Sequence, residues 1–245
     1  MRPRLATEQL AKLDPKTNHL LRKLSPADYS GLMAKAKLVS LEFGQRLYQQ
    51  DETIDAVYFP LTTMVSLLVT SKQKPRMELA TIGREGVVGA AEILDEQGGL
   101  GLNLIQVPGV AIRIPANKFL TEMRKRPRLE QLVRRHLYAM TRQILYAAAC
   151  HRVHRMEERC ARWLLMTNDR AGQDTFPLTQ EFLSHMLGVR RATVNVATGI
   201  LKKAGFITYV RGRITVLDRP GLETASCDCY GAINRAYATA MNGIA

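Results

Sequence analysis

The sequence predicts an α+β chain with three parts in order. These are an N-terminal β-roll with flanking helices, a long linking and dimerisation helix, and a C-terminal winged helix-turn-helix. Three observations predict it. Residues 178–207, LTQEFLSHMLGVRRATVNVATGILKKAGFI, hold two helical apolar patterns around a glycine. Residues 39–114 break into short β-rich segments punctuated by glycines, and residues 128–150 carry an apolar stripe without Gly or Pro. The implied divisions are 1–126, 127–153, 154–222 and a tail at 223–245.

Residues 5–38 read as helical, with Leu10, Leu13, Leu20, Leu21 and Leu24 at helix-like spacing and breaks at Asp14-Pro15 and Ser25-Pro26. The β-rich segments are Ala56–Phe59, Met64–Val69, Met77–Thr81, Leu102–Val107 and Val110–Ile114. Short strands with glycine turns suit a small barrel or roll. Ala116–Arg124 reads as a short helix, and Pro127 suits the first turn of a longer one. Leu129, Leu132, Val133, His136, Leu137, Met140, Ile144 and Ala147 recur there at helical spacing. Such a stripe packs either on the roll or against its copy in a dimer; Leu129, Val133, His136, Met140, Ile144 and Ala147 are the candidate dimer contacts. A further helix runs from about His154 to Asn168, before a polar turn at 170–174.

The two-helix unit follows. Thr179 is a candidate N-cap, because its hydroxyl can accept from a first-turn amide. Phe182, Leu183, Met186 and Leu187 form one apolar face, and Gly188 supplies a residue free to take positive φ. Val194, Ala197 and Leu201 return at i, i+3, i+7, which leaves Arg190, Arg191, Asn195 and Lys202 on the opposite side. A helix packed on one face and basic on the other suits the major groove of DNA. Phe206, Ile207 and Tyr209, the basic turn Arg211-Gly212-Arg213, and Ile214, Val216 and Leu217 read as a hairpin wing.

The formal net charge of +13 is unevenly spread over the 245 residues. Residues 1–115 carry 14 basic and 12 acidic side chains, 116–175 carry 13 and 6, and 176–245 carry 8 and 4. The excess in the second half suits a polyanion there. The N-terminus has no apolar stretch of signal-peptide length, and the densest apolar run, Met64–Val69, is too short to span a bilayer. Four cysteines without a secreted-scaffold spacing fit a reducing cytoplasm, so a cytoplasmic protein without membrane association is expected. No phosphate loop, HExxH or nucleophile elbow is present, and no enzyme activity is expected.

The order of roll, long helix and winged helix resembles the Crp/Fnr family of bacterial transcription regulators, over roughly 25–220. The resemblance is most specific at Leu178-Thr179-Gln180-Glu181 and Leu187-Gly188-Val189-Arg190-Arg191-Ala192-Thr193-Val194, and it extends to IDAVYFPLTTMVSLLV at 54–69. It implies a homodimer on two-fold symmetric promoter DNA, a cyclic-nucleotide-binding-like roll that reorients the DNA-binding units, and RNA polymerase as a further partner. By position, Arg191 matches the arginine that reads a guanine edge, and Thr179 and Thr193 match hydroxyls that contact phosphate. Ala192 and Val196 depart from a frequent glutamate and arginine, so a different half-site is expected. Arg190 is a candidate base or phosphate contact, and Lys202, Arg211 and Arg213 are candidate phosphate contacts.

The resemblance places the effector cassette at Gly83-Arg84-Glu85-Gly86-Val87-Val88-Gly89-Ala90. Gly89-Ala90 stands where cyclic-nucleotide binders carry Gly-Glu, and Gly99-Leu100 where they carry an arginine and a hydroxyl. Both polar elements are missing, so the roll is not expected to bind cyclic AMP. Glu85, Gly89, Ala90 and Leu100 remain the candidate pocket, and the effector is unknown. A rival reading is a cyclic-nucleotide or other small-molecule module whose basic C-terminal part binds RNA or a protein.

No cofactor or metal is expected. There is no cysteine before Cys150, so an N-terminal iron–sulfur site is excluded, and the Cys227-Asp228-Cys229 pair offers too few thiolates alone. Inert surface or core cysteines are the expected reading; a free or reversibly oxidised pair is one alternative, and four thiolates joined across a dimer another. His151 and His154 could share a helix face, but their arginine neighbours suit a solvated or DNA-facing pair. Ala232, Ile233, Ala236, Tyr237 and Ala240 permit a helix in the tail, docked on a neighbour.

Overall fold

The computed structural model describes residues 13–71, 74–95 and 98–242. The expectation of helix over 5–12 lies outside them. After a 3-10 turn at Pro15–Thr17 come α1 (His19–Arg22) and α2 (Pro26–Met33). Asn18 fixes α1 on the roll. Its Oδ1 accepts from Leu20 N at 3.0 Å, and its Nδ2 donates to Pro60 O at 3.1 Å and Gly86 O at 2.9 Å. The predicted helix to residue 38 ends early, because Lys37 and Leu38 open strand β1 (Lys37–Leu41) on the edge of the roll.

The roll comprises β1, β2 (Arg46–Tyr48), β3 (Ala56–Pro60), β4 (Met64–Ser71), β5 (Lys74–Ile82), β6 (Leu102–Val107) and β7 (Gly109–Pro115), with α3 (Ala90–Asp95) between β5 and β6. Antiparallel sheets of order β1-β7-β3 and β2-β6-β4-β5 enclose its core. β3 and β6 are buried along their whole length, so both of their faces are covered. Phe59 meets Phe119 of α4 (Ala116–Lys125) edge-on at 5.8 Å, which shows how a helix covers an outer face of the roll.

The long helix α5 runs Pro127–Val153 with Pro at its first turn. Its stripe is turned inward. Leu129, Leu132, Val133, His136, Ala139, Met140 and Ala147 are buried against the same chain, and Ile144 is half-buried. They face β5, α4 and the C-terminal helix α10 (Cys229–Asn242). Leu129, Val133, His136, Met140, Ile144 and Ala147, the expected dimer contacts, are thus packed against their own chain rather than left exposed. The tail helix docks on α5 of its own chain rather than on a neighbour, and Tyr237 Oη donates to Gln143 Oε1 at 2.9 Å across that contact. His136 sits at this junction with Nε2 3.1 Å from Val87 O. Burial pushes its pKa down to about 4, so the imidazole is neutral.

His154 and Arg155 take extended backbone and separate α5 from α6 (Met156–Ala171). The remaining elements are β8 (Thr175–Pro177), α7 (Gln180–Leu187), α8 (Arg191–Lys203), β9 (Ile207–Val210), β10 (Arg213–Val216) and α9 (Arg219–Thr224). β8-β10-β9 form a small antiparallel sheet. The unit is docked on the roll, where Phe182 of α7 meets Phe43 at 5.3 Å. Arg170 adds a polar tie. It is buried, its Nε lies 2.8 Å from Glu85 Oε1, and its Nη2 donates to Gln143 Oε1 at 3.2 Å. Among the described residues, no helix is long and apolar enough to cross a membrane.

Candidate nucleic-acid interface

α7 starts as its chemistry requires. Thr179 has extended backbone, and its Oγ1 accepts from Phe182 N at 3.0 Å. Gly188 closes α7 at φ +66, where a Cβ would also press on Met77. α8 then buries Val194, Ala197, Thr198 and Leu201 against the unit's own core. Helical period alone puts Arg191, Ala192, Thr193, Asn195, Val196 and Lys202 on the exposed side, and all six are exposed. Arg190 is the exposed N-cap of α8, with no side-chain bond to the helix. The amides of that first turn and the Arg190 and Arg191 guanidinium groups therefore share one end of the helix, an arrangement that favours anions.

A cleft of about 240 Å³ lies between Thr179, Gln180, Glu181, Arg191 and Tyr209. Thr179 and Arg191 thus border one surface despite their separation in sequence. Gln180 was not singled out by sequence reasoning. Its Nε2 donates to Asn195 Oδ1 at 2.7 Å, bridging the two helices on the exposed side. The signal available was its place at the start of α7, beside the cap. Tyr209 Oη donates to Leu178 O at 2.9 Å and fixes the hairpin to the start of α7. At the hairpin tip, Arg211 (φ +48) and Gly212 (φ +73) both take left-handed backbone, the geometry of a two-residue turn. Arg211 is exposed and Arg213 half-buried. Seven of the eight predicted contact residues are thus exposed, on the α7–α8 side or the wing.

The four candidate effector residues are not brought together. Glu85 is paired with Arg170 and lines a cavity of about 750 Å³ whose walls include Arg84, Arg219 and Tyr237 but none of the other three. Gly89 (φ +89) packs instead beside Tyr48 and Ala56, where a Cβ would lie 2.8 Å from Tyr48 Oη. Ala90 is buried, and Leu100 is 58% exposed. The expectation of solvated histidines needs correction for both, since His151 and His154 are half-buried and His151 Nδ1 contacts the Arg159 guanidinium. His154 lies with Cys150, Cys227 and Cys229 in one cluster, so the cysteine pair is not isolated.

Comparison with known proteins agrees with this arrangement. Residues 158–225 match the Crp-like helix-turn-helix domain family. No curated protein matches the chain significantly. Among solved structures, the chain is similar to FixK2 from Bradyrhizobium japonicum at 16% identity, covering 78% of this chain and 98% of that one, with a TM-score of 0.64. A CRP/FNR-family transcriptional regulator from Thermus thermophilus is 20% identical over 78% of this chain and 98% of its own, with a TM-score of 0.61. The c-di-GMP-responsive global regulator CLP of Xanthomonas campestris is 10% identical over 78% and 99%, with a TM-score of 0.64. The chain thus carries a Crp-like helix-turn-helix domain and has the fold of the Crp/Fnr-family transcription regulators.

Proposed function

We infer that this protein is a sequence-specific DNA-binding transcription regulator that acts as a homodimer on palindromic promoter sites. The observation that carries the reading is the exposed side of α8, which presents Arg190, Arg191, Thr193 and Asn195 beside the Thr179 cap. Arg191 reads a guanine through O6 and N7, a bidentate contact that guanidinium geometry permits. Thr179, Thr193, Lys202, Arg211 and Arg213 hold phosphates and set the register. Ala192 and Val196 are exposed on the same side, and their apolar surfaces fit thymine methyl groups. Arg191 and these two apolar side chains contribute to reading the half-site, with Arg190 and Asn195 beside them.

The dimer surface is the outer face of α5. Tyr138 (66% exposed), Leu145 (64%) and Val153 (68%) are large, apolar and spaced along the helix, whereas the inner stripe is occupied by the chain's own roll and α10. RNA polymerase is a further partner under this reading, and the degenerate cassette leaves the protein independent of cyclic AMP. No enzyme activity enters it.

The test is fluorescence anisotropy on the DNA upstream of the protein's own gene at near-physiological salt, beside a scrambled duplex and with and without cyclic AMP and cyclic GMP. Specific binding that ignores nucleotide supports the reading. Salt-sensitive binding without sequence preference would favour the rival, a module that uses its basic part on RNA or a protein.

A further inference from the structure

We propose that Cys150, His154, Cys227 and Cys229 form a mononuclear zinc site that clamps the end of the long helix to the C-terminal helix. Their donor atoms all lie within 4.8 Å of one another. Cys150 Sγ is 3.5 Å from Cys227 Sγ, and Cys229 Sγ is 3.7 Å from His154 Nδ1. A tetrahedral site with metal–sulfur bonds of about 2.3 Å has sulfur–sulfur edges of about 3.8 Å, so these donors need only small shifts to close on one ion. An iron–sulfur cluster carries an inorganic core of its own and needs its thiolates further apart. Three sulfurs and one imidazole in a closed tetrahedron select zinc and leave no open position for substrate.

The surroundings suit the ion as well as the donors do. His154 Nε2 lies 3.2 Å from Asp228 Oδ1. That bond puts the ring proton on Nε2 and leaves the Nδ1 lone pair facing the sulfurs, the usual outer-shell support of a metal-bound histidine. Zinc with three thiolates and a neutral imidazole carries a net charge of −1. Two buried guanidinium groups, Arg159 and Arg162, lie within electrostatic range of the thiols. The Nε atoms of both lack hydrogen-bond partners, and neither side chain has a carboxylate partner among the described residues. An anionic centre offsets that buried positive charge.

The placement gives the site a consequence. Cys150 is in the last turn of α5, His154 is the extended residue that ends it, and Cys227 and Cys229 lie at the start of α10. A bound ion joins the α5–α6 break, which carries no glycine or proline, to a helix that packs along α5. The site itself does not depend on the DNA-binding reading.

The test is cobalt(II) titration of the full-length reduced protein, with metal content measured by mass spectrometry. The expected result is thiolate-to-cobalt charge transfer with tetrahedral d–d bands, saturating at one ion per chain and displaced by zinc. Cys229→Ser and His154→Ala should weaken binding by more than about a hundredfold, and Asp228→Asn, at an exposed carboxylate, by about tenfold. His151→Ala should leave the spectrum unchanged. Absence of a cobalt spectrum in reduced protein, or a spectrum unchanged in Cys229→Ser, would overturn the site. So would a Cys150–Cys227 disulfide in protein that binds no metal after reduction. Asp228→Asn removes no core contact, so it keeps the proposal testable if a ligand variant fails to fold.

Discussion

Trp163 Nε1 donates to Glu78 Oε1 at 2.8 Å, joining the first helix of the Crp-like domain to strand β5 of the roll. Glu78 is buried, with 8% of its surface exposed. Ser66 Oγ lies 2.7 Å from both Glu78 Oε2 and Gln106 Oε1 and has one proton to give. Gln106 Nε2 donates to Thr167 Oγ1 at 3.0 Å, and Thr167 Oγ1 donates to Trp163 O at 3.0 Å. Every member of this ring is satisfied when Glu78 is protonated and donates to Ser66. Burial pushes the carboxyl up to about 7, opposed by the bonds that the ionised form accepts from Ser66 and Trp163.

This network makes the joint between roll and DNA-binding unit sensitive to pH. Between the ordinary pKa of 4.5 and about 7, folded protein holds a proton that the unfolded chain has lost. The stability it contributes is complete below pH 4.5 and falls as pH rises through 7, by about 3 kcal/mol in total. Glu78→Gln should remove that dependence and be the more stable protein near pH 8. His136, pushed down to about 4, acts in the opposite sense, losing stability as pH falls from 6.5. The comparison is therefore variant against wild type at each pH, by urea midpoint. A constant difference between the two proteins from about pH 5 to about pH 8 would show that Glu78 does not titrate there.

Arg191→Ala should cost specific binding about 1–3 kcal/mol per half-site and leave non-specific affinity mostly intact. Arg191→Lys should not restore it, because ammonium lacks the planar fork. Equal losses on specific and scrambled duplexes, by anisotropy, would reduce Arg191 to a phosphate contact.

Val196 and Ala192 predict a different signature. Replacing a contacted thymine by uracil removes only a methyl group, worth about 0.8 kcal/mol or roughly a fourfold loss. In Val196→Ala the same replacement should cost less, since the contacting surface is already gone. If uracil costs both proteins equally at every half-site position, Val196 touches no thymine methyl.

The helix-turn-helix was legible because its local signals agree. The Thr179 cap, the Gly188 turn and the Val194, Ala197, Leu201 spacing each point to the same geometry, and each depends only on near neighbours in the chain. The α5 stripe was equally visible as a stripe, but period says which face is buried and not what covers it. Here α10 and the roll cover it, and nothing in residues 229–242 names α5 as their partner. The cysteine–histidine cluster was missed for a related reason. Cys150 and Cys227 are 77 residues apart, so only the docking of α10 beside α5 brings them within 3.5 Å. The Glu85–Arg170 pair was out of reach for the same reason, because Arg170 comes from α6, far along the chain from the cassette that the resemblance placed at 83–90.

The two faces of α5 can be separated by substitution. Leu145→Glu puts a charge on the outer face, where the side chain is 64% exposed, so the protomer should fold with an unchanged circular dichroism spectrum. If Tyr138, Leu145 and Val153 form the dimer surface, a carboxylate there faces its own copy across a two-fold axis and is desolvated. Light scattering should then report monomer at concentrations where wild type is dimeric. Met140→Glu is the contrasting variant. Met140 is buried in the chain's own core, so an unpaired carboxylate there should destabilise the protomer by several kcal/mol rather than merely split a dimer. A folded, monomeric Met140→Glu protein beside a dimeric Leu145→Glu protein would return the interface to the inner stripe, and the packing of α10 on α5 would then have to open for the dimer to form.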